Sequence, residues 1–210
     1  MKKSQFNLVA LALLIICFIS PLSESLSAQI INMANAEKKA PSELSNGGIK
    51  LGIGISNMTD GEESIGPILA FEPGLYYHAV FSETFGIQME LLYATRGSGD
   101  SEPGVGSIEF NLSYISIPLL LAFRLGENAH LFVGPRLSLY LGGTVSGNII
   151  SGDADGVTDY DFGLDLGAAF SVSENVKLEF RISRGFVSLV APEYDAIYNI
   201  AMLGGVSLSL

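Results

Sequence analysis

Between Gly48 and Leu210, apolar and polar residues alternate with a period of two in eight separate runs. In the seventh run, Val176, Leu178, Phe180 and Ile182 alternate with Lys177, Glu179, Arg181 and Ser183. A period of two puts successive side chains on opposite faces of an extended strand. The predicted strands are 48–57, 67–80, 84–96, 108–124, 130–142, 159–171, 175–187 and 196–210. Short connections at Ser82-Glu83, Gly126–Ala129 and Val172–Glu174 alternate with longer ones at 58–66, 97–107, 143–158 and 188–195. An even number of strands, with tight turns on one side and long loops on the other, describes an antiparallel up-and-down barrel.

Alternation does not say which face meets water, but side-chain size does. Phe85, Ile87, Met89, Leu91 and Tyr93 oppose Gly86, Gln88, Glu90 and Ala94. Tyr160, Phe162, Leu164, Leu166 and Phe170 oppose Asp161, Gly163, Asp165, Gly167 and Ser171. One face is uniformly large and apolar; the other mixes small residues with a few charges. The interior of an eight-stranded barrel is only just wide enough for side chains. Small residues and ion pairs fit there, and the apolar face then needs lipid. The predicted fold is all-β: an eight-stranded antiparallel up-and-down transmembrane β-barrel over residues 48–210.

In that barrel Glu72, Glu90, Asp161, Asp165 and Glu179 point inward to meet Arg136, Lys177 and Arg181. Buried charges persist when paired and hydrogen-bonded, so a lumen network is expected, with Asp165 opposite Arg181. It reads as a structural plug, with a conduction path as the alternative. Arg184 faces outward at the loop end of its strand, placed either as a lipopolysaccharide contact or as a plain rim arginine. Pro118 and Pro135 lie inside strands, where proline marks edges or bulges. A change of face between Tyr114 and Ile115 predicts a bulge in the fourth strand.

Composition agrees with a lipid-facing exterior. Charged residues make up 16% of the 210-residue chain and hydrophobic ones 48%, against roughly 25% charged in a typical soluble domain. The net charge of −11 and the lack of a basic stripe exclude nucleic acid as a partner. Residues 1–28 read as a signal peptide: Lys2 and Lys3 precede the apolar run Leu8–Ile19, and small residues follow. Ala28 and Ala36 both suit cleavage. The run is shorter than the ~20 residues a membrane helix needs. Cys17, the one cysteine, follows the bulky Ile16 and so makes a poor lipidation site. Residues 29–47 have no period and read as a flexible periplasmic linker. With eight strands, both barrel termini fall on the tight-turn, periplasmic side. Gly205, Leu208 and Leu210 resemble the C-terminal assembly signal of outer-membrane barrels. Leu210 departs from its usual terminal aromatic, and Leu203 stands where a polar residue is common.

Candidate chemistry is sparse. His78 and His130 fall at the tight-turn end, with no Ser/Asp partnership near them in sequence. Asp153, Asp155, Asp159 and Asp161 in the loop 151–161 could offer oxygens to Ca²⁺, but the EF-hand pattern is incomplete. The GxGxS at Gly52–Ser56 precedes no helix and is not a phosphate loop. No cofactor and no metal are expected.

The segments GIKLGIGIS (48–56), YISIPLLL (114–121), VGPRLSLYLGG (133–143), DFGLDLGAAF (161–170) and KLEFRISRG (177–185) resemble the PorT-like outer-membrane β-barrel family of Bacteroidota. The resemblance covers 48–210 and implies an eight-stranded barrel in the cell outer membrane. It implies little about activity; the namesake's role in protein secretion is not carried over. The expectation is a non-enzymatic barrel with a plugged lumen that presents loops for a structural or interaction role. A narrow porin or a component of a secretion apparatus is the alternative, with a lipid A-modifying enzyme third. Expected partners are outer-membrane lipid and lipopolysaccharide, the barrel-assembly machinery during biogenesis, and an unidentified protein.

Overall fold

The computed structural model describes residues 46–60, 66–102, 106–147, 151–154, 156–189 and 196–210. The expected signal peptide, and the expected linker up to residue 45, lie outside these residues. Nine strands form among them: β1 (Asn46–Thr59), β2 (Ile68–Val80), β3 (Phe85–Glu102), β4 (Gly106–Leu125), β5 (Ala129–Gly147), β6 (Ser151–Asp153), β7 (Tyr160–Ser171), β8 (Val176–Gly185) and β9 (Tyr198–Ser209). The eight long strands pair antiparallel in chain order, with β5 beside β7. β1 meets β9 from Gly48↔Ser209 to Thr59↔Tyr198, which closes the barrel. β6 hangs from the end of β5, outside the ring. Closure satisfies backbone groups within the wall, the condition for a sheet to exist in hydrocarbon.

Alternation sorts the side chains as the sequence predicts. Leu166 is 53% exposed, while its neighbour Asp165 is 1% exposed. Leu51, Leu75, Leu91, Leu121, Leu131, Phe162 and Phe180 all stand on the outside. Lys50, Glu72, Glu90, Arg136 and Arg181 are buried within. A continuous exposed apolar belt with charges inside is stable only when lipid covers the belt.

The strands run further than alternation indicated. β1 begins at Asn46, two residues inside the expected linker. The expected loop 97–107 is mostly strand: β3 and β4 stay paired out to Glu102↔Gly106. Within the expected loop 143–158, β5 continues to Gly147 and pairs with β6. Glycine and serine dominate both segments and blur the period of two, yet their backbones hydrogen-bond as well as any others. The tight turns stand where expected. Ser82 Oγ accepts the Phe85 N–H at 3.0 Å in the first, and Gly126 takes a φ of 74° in the second, which glycine adopts without strain.

The bulge falls on β5 rather than β4. Ser113 pairs with Gly142 and Tyr114 with Tyr140, so Leu141 is the extra residue. Gly142 there adopts a φ of 152°. β4 keeps even-numbered residues inward from Leu112 to Ala122 without interruption, whereas β5 turns Gly143 toward Leu112 and Val145 toward Phe110 beyond the bulge. Glycine accommodates the kink that Tyr114 on β4 would resist.

One stretch of wall is joined differently. β2 and β3 share regular rungs only from Gly74↔Leu92 to Val80↔Gly86. Pro73, which has no N–H, stands where the next rung would form. Thr95 takes over: its Oγ1 accepts the Phe71 N–H at 2.8 Å and donates to the Phe71 carbonyl at 3.4 Å. Further toward the loops, the Gly97 N–H donates to Ser56 Oγ of β1 at 3.1 Å. The Gly99 N–H donates to the Gly66 carbonyl at 3.1 Å.

Candidate functional site

The lumen holds the chemistry-bearing residues in three tiers. In the middle, inward positions of β1, β3, β5, β7 and β8 converge on a chain of ion pairs. Arg136 Nη2 lies 3.3 Å from Asp161 Oδ2, and its Nη1 lies 3.2 Å from Asp165 Oδ1. Asp165 Oδ2 is in turn 3.2 Å from Arg181 Nη1. Arg181 grips Glu90 with both terminal nitrogens at 2.7 Å, the fork geometry that makes arginine–carboxylate pairs strong. Lys50 Nζ lies 2.9 Å from Glu90 and also pairs with Glu179. Gln88 donates to Glu90 at 2.6 Å, and the Arg181 guanidinium lies 5.1 Å from the centroid of the Phe132 ring. Separately, Arg96 pairs with Glu72.

Of the residues predicted for this network, Glu90, Arg136, Asp161, Asp165, Glu179 and Arg181 take part, and Glu72 pairs apart from it with Arg96. Lys177 does neither. It faces inward at the tight-turn end, with no carboxylate in ion-pairing range among the described residues. The predicted register also shifts: Asp165 stands opposite Ser183, and Arg181 opposite Gly167. The turn after β7 spans four residues, Val172–Asn175, rather than three, so the pair meets diagonally through the reach of the guanidinium. Gly167 makes room for the Phe132 ring against which Arg181 lies; a Cβ there would come within 2.4 Å of that ring.

Lys50 and Arg96 are the cations that sequence reasoning left out of the network. Lys50 shares the polar face of its strand with Gly52, Gly54 and Ser56, and Arg96 follows Glu90 and Ala94 on the even face of β3. Parity is the available signal for both, and Arg96 is the last residue of its predicted strand.

At the loop end an apolar lid covers the ion pairs. Met58, Ala94, Leu112, Tyr114, Ala154 and Leu189 pack together, with Phe110, Tyr140, Val145, Val157 and Ile197 against them. The connecting segments are tied over it: Tyr140 Oη donates to the Ala154 carbonyl at 2.9 Å, and the Thr158 N–H to the Leu189 carbonyl at 3.0 Å. At the tight-turn end, His78 and His130 meet edge to face with centroids 6.0 Å apart. Together with Gly86, Ala122 and Arg124 they line a cavity of about 10 Å³, near the size of one water. The histidines thus pack on each other, with no serine or carboxylate hydrogen bond to either among the described residues.

The loop 151–161 does not gather its acids. Asp161 turns inward to Arg136, Asp155 lies outside the described residues, and Asp153 and Asp159 stay exposed. Among the described residues no three His, Cys, Asp or Glu side chains come together as a metal site. The glycines at 52 and 54 belong to β1, and Ser56 is engaged with Gly97. Arg184 faces outward, half-buried, between Leu164 and Ile200.

Residues 33–191 match the family described as the outer membrane protein beta-barrel domain. The chain belongs to that family. No curated protein matches it in sequence. Among solved structures, Neisserial surface protein A is similar at 14% identity, covering 79% of this chain and 99% of that one with a TM-score of 0.54. Ail, the attachment invasion locus protein of Yersinia pestis, is similar at 16% identity over the same shares, with a TM-score of 0.48. At 14% identity, the likeness to Neisserial surface protein A is one of fold. An outer-membrane barrel also explains why the apolar belt and the buried charges occur in one molecule.

Proposed function

We infer that this outer-membrane barrel is a closed, non-enzymatic support that holds surface loops for a structural or interaction role. The observation that carries this reading is the ion-pair chain crossing the lumen from Lys50 on β1 to Asp161 on β7. The apolar lid above it and the histidine pair below support a plug rather than a path for hydrated ions. Placement of the termini in the periplasm follows from the tight turns that share their end of the barrel, and the long β3–β4 hairpin then projects outside. A protein partner would meet the molecule on that hairpin and on β6. The resemblance to PorT-like barrels suits the same location and adds no activity.

A narrow pore is the competing reading, and purified protein in planar lipid bilayers separates the two. Wild-type protein is expected to give no steady single-channel steps; steps that scale with its concentration would overturn the plug. Orientation has its own test, because the mature chain should lack Cys17 and so carry no cysteine. A membrane-impermeant maleimide should label a Ser107→Cys variant on intact cells, and a Glu83→Cys variant only after the outer membrane is permeabilised. The reverse pattern would invert the barrel.

A further inference from the structure

Within the apolar band, the outward positions of the described wall carry one charge. From β1 to β9, between the tight turns and the ring of Tyr160 and Tyr198, the side chains facing away from the lumen are apolar, aromatic or uncharged, with Arg184 the exception among the described residues. Below it on β8 stand Val176, Leu178, Phe180 and Ile182, all outward. Eight residues at ~3.3 Å each, tilted by about 40°, raise Arg184 roughly 20 Å above Val176. The apolar band of such a barrel is ~25 Å tall, so Arg184 sits close to its loop-side border.

Its neighbours mark the same level. Leu164 on β7 and Ile200 on β9 stand directly opposite it. One outward step toward the loops come Phe162, Phe186 and Tyr198, with Tyr160 beyond. Aromatic residues collect where acyl chains give way to headgroups. Arg184 thus stands just beneath a headgroup-level ring, and its guanidinium can reach up past it along its own apolar stem. No carboxylate among the described residues pairs with it. At the tight-turn border no outward cation appears among the described residues, so the device serves one leaflet only.

We propose that Arg184 is a seat for the phosphate group of a membrane lipid in the leaflet on the loop side. A charge at this depth needs a counter-charge, and the anion available to an outward guanidinium there is a lipid phosphate. Two parallel N–H groups match two phosphate oxygens, a geometry that a lysine ammonium does not reproduce. Which lipid supplies the phosphate depends on the orientation proposed above: with the loops outside, it is a glycolipid of the lipid A type; with the barrel inverted, a glycerophospholipid.

The test uses the purified full-length mature barrel in detergent micelles, with native mass spectrometry counting bound lipid. Lipid A, enzymatically dephosphorylated lipid A and phosphatidylglycerol are added in turn to wild type, Arg184→Gln and Arg184→Lys. A gel shift on boiling shows that each variant is folded. Wild type is expected to retain lipid A at least five-fold better than its dephosphorylated form. Arg184→Gln should erase that difference, and Arg184→Lys should keep only part of it. A phosphate preference that survives unchanged in folded Arg184→Gln overturns the seat, as does the absence of any preference in wild type. Arg184-dependent retention of phosphatidylglycerol in preference to lipid A would uphold the seat and assign it to a glycerophospholipid. The maleimide labelling then reports on orientation independently, so failure of one reading is not mistaken for failure of the other.

Discussion

Arg96 and Glu72 form a pair that shares no salt bridge with the rest of the lumen, which makes them a clean site for testing what buried charge does here. An Arg96→Met variant strands Glu72 in a buried site, at an expected cost of about 3–5 kcal/mol in stability. The double variant Glu72→Met/Arg96→Met should recover most of that loss, because a well-packed apolar pair often replaces a buried ion pair at little cost. Urea unfolding of the barrel in lipid vesicles measures both. A double variant no more stable than the single would mean that the pair contributes attraction beyond its own desolvation. Residue identity and strand parity together were enough to place most of the lumen charges. What parity could not supply was reach: Arg181 bridges to Asp165 across a two-residue offset, and that depends on the length and fork of one side chain.

At the scale of elements, the β2–β3 junction is the irregular part of the wall. Beyond Pro73 its cohesion passes from backbone rungs to Thr95, Ser56 and the Gly66 carbonyl. Thr95→Val keeps the shape and removes the hydroxyl, which leaves the Phe71 N–H without a partner. The expected loss is about 1–3 kcal/mol. Hydrogen exchange should show faster exchange at Phe71 in the variant, while the regular rungs from Gly74 to Val80 stay protected. Unchanged exchange at Phe71 would show that the hydroxyl is not what joins the strands there. The sequence announced Pro73 but not its consequence, since the side chain that substitutes for the missing rung lies 24 positions beyond Phe71, whose backbone it engages. The same limit explains the bulge. Alternation pointed to β4, and the extra residue settled on β5, where Gly142 and Gly143 bend more readily than Tyr114.

For the whole molecule, the closed ring of eight long strands predicts resistance to detergent. Unboiled protein in SDS should migrate faster than boiled protein and should fractionate with the outer membrane. Loss of the shift, with the protein recovered in the soluble periplasm, would mean that the apolar belt faces a protein core instead of lipid. The lid over the lumen belongs to this scale as well. Met58, Leu112, Ala154 and Leu189 come from four distant parts of the chain and meet only when the barrel is closed.

The sequence by itself determined the number of long strands, their order, the tight-turn end and which face takes lipid. These follow from a local period of two and from side-chain size, which every stretch of chain carries with it. Only the tertiary structure decided the partners: Lys50 with Glu90, Arg96 with Glu72, Thr95 with Phe71, and the apolar lid. Those pairings depend on stagger between neighbouring strands and on contacts across the lumen. Both are fixed when the ring closes at β1 and β9, and neither is written in any one strand.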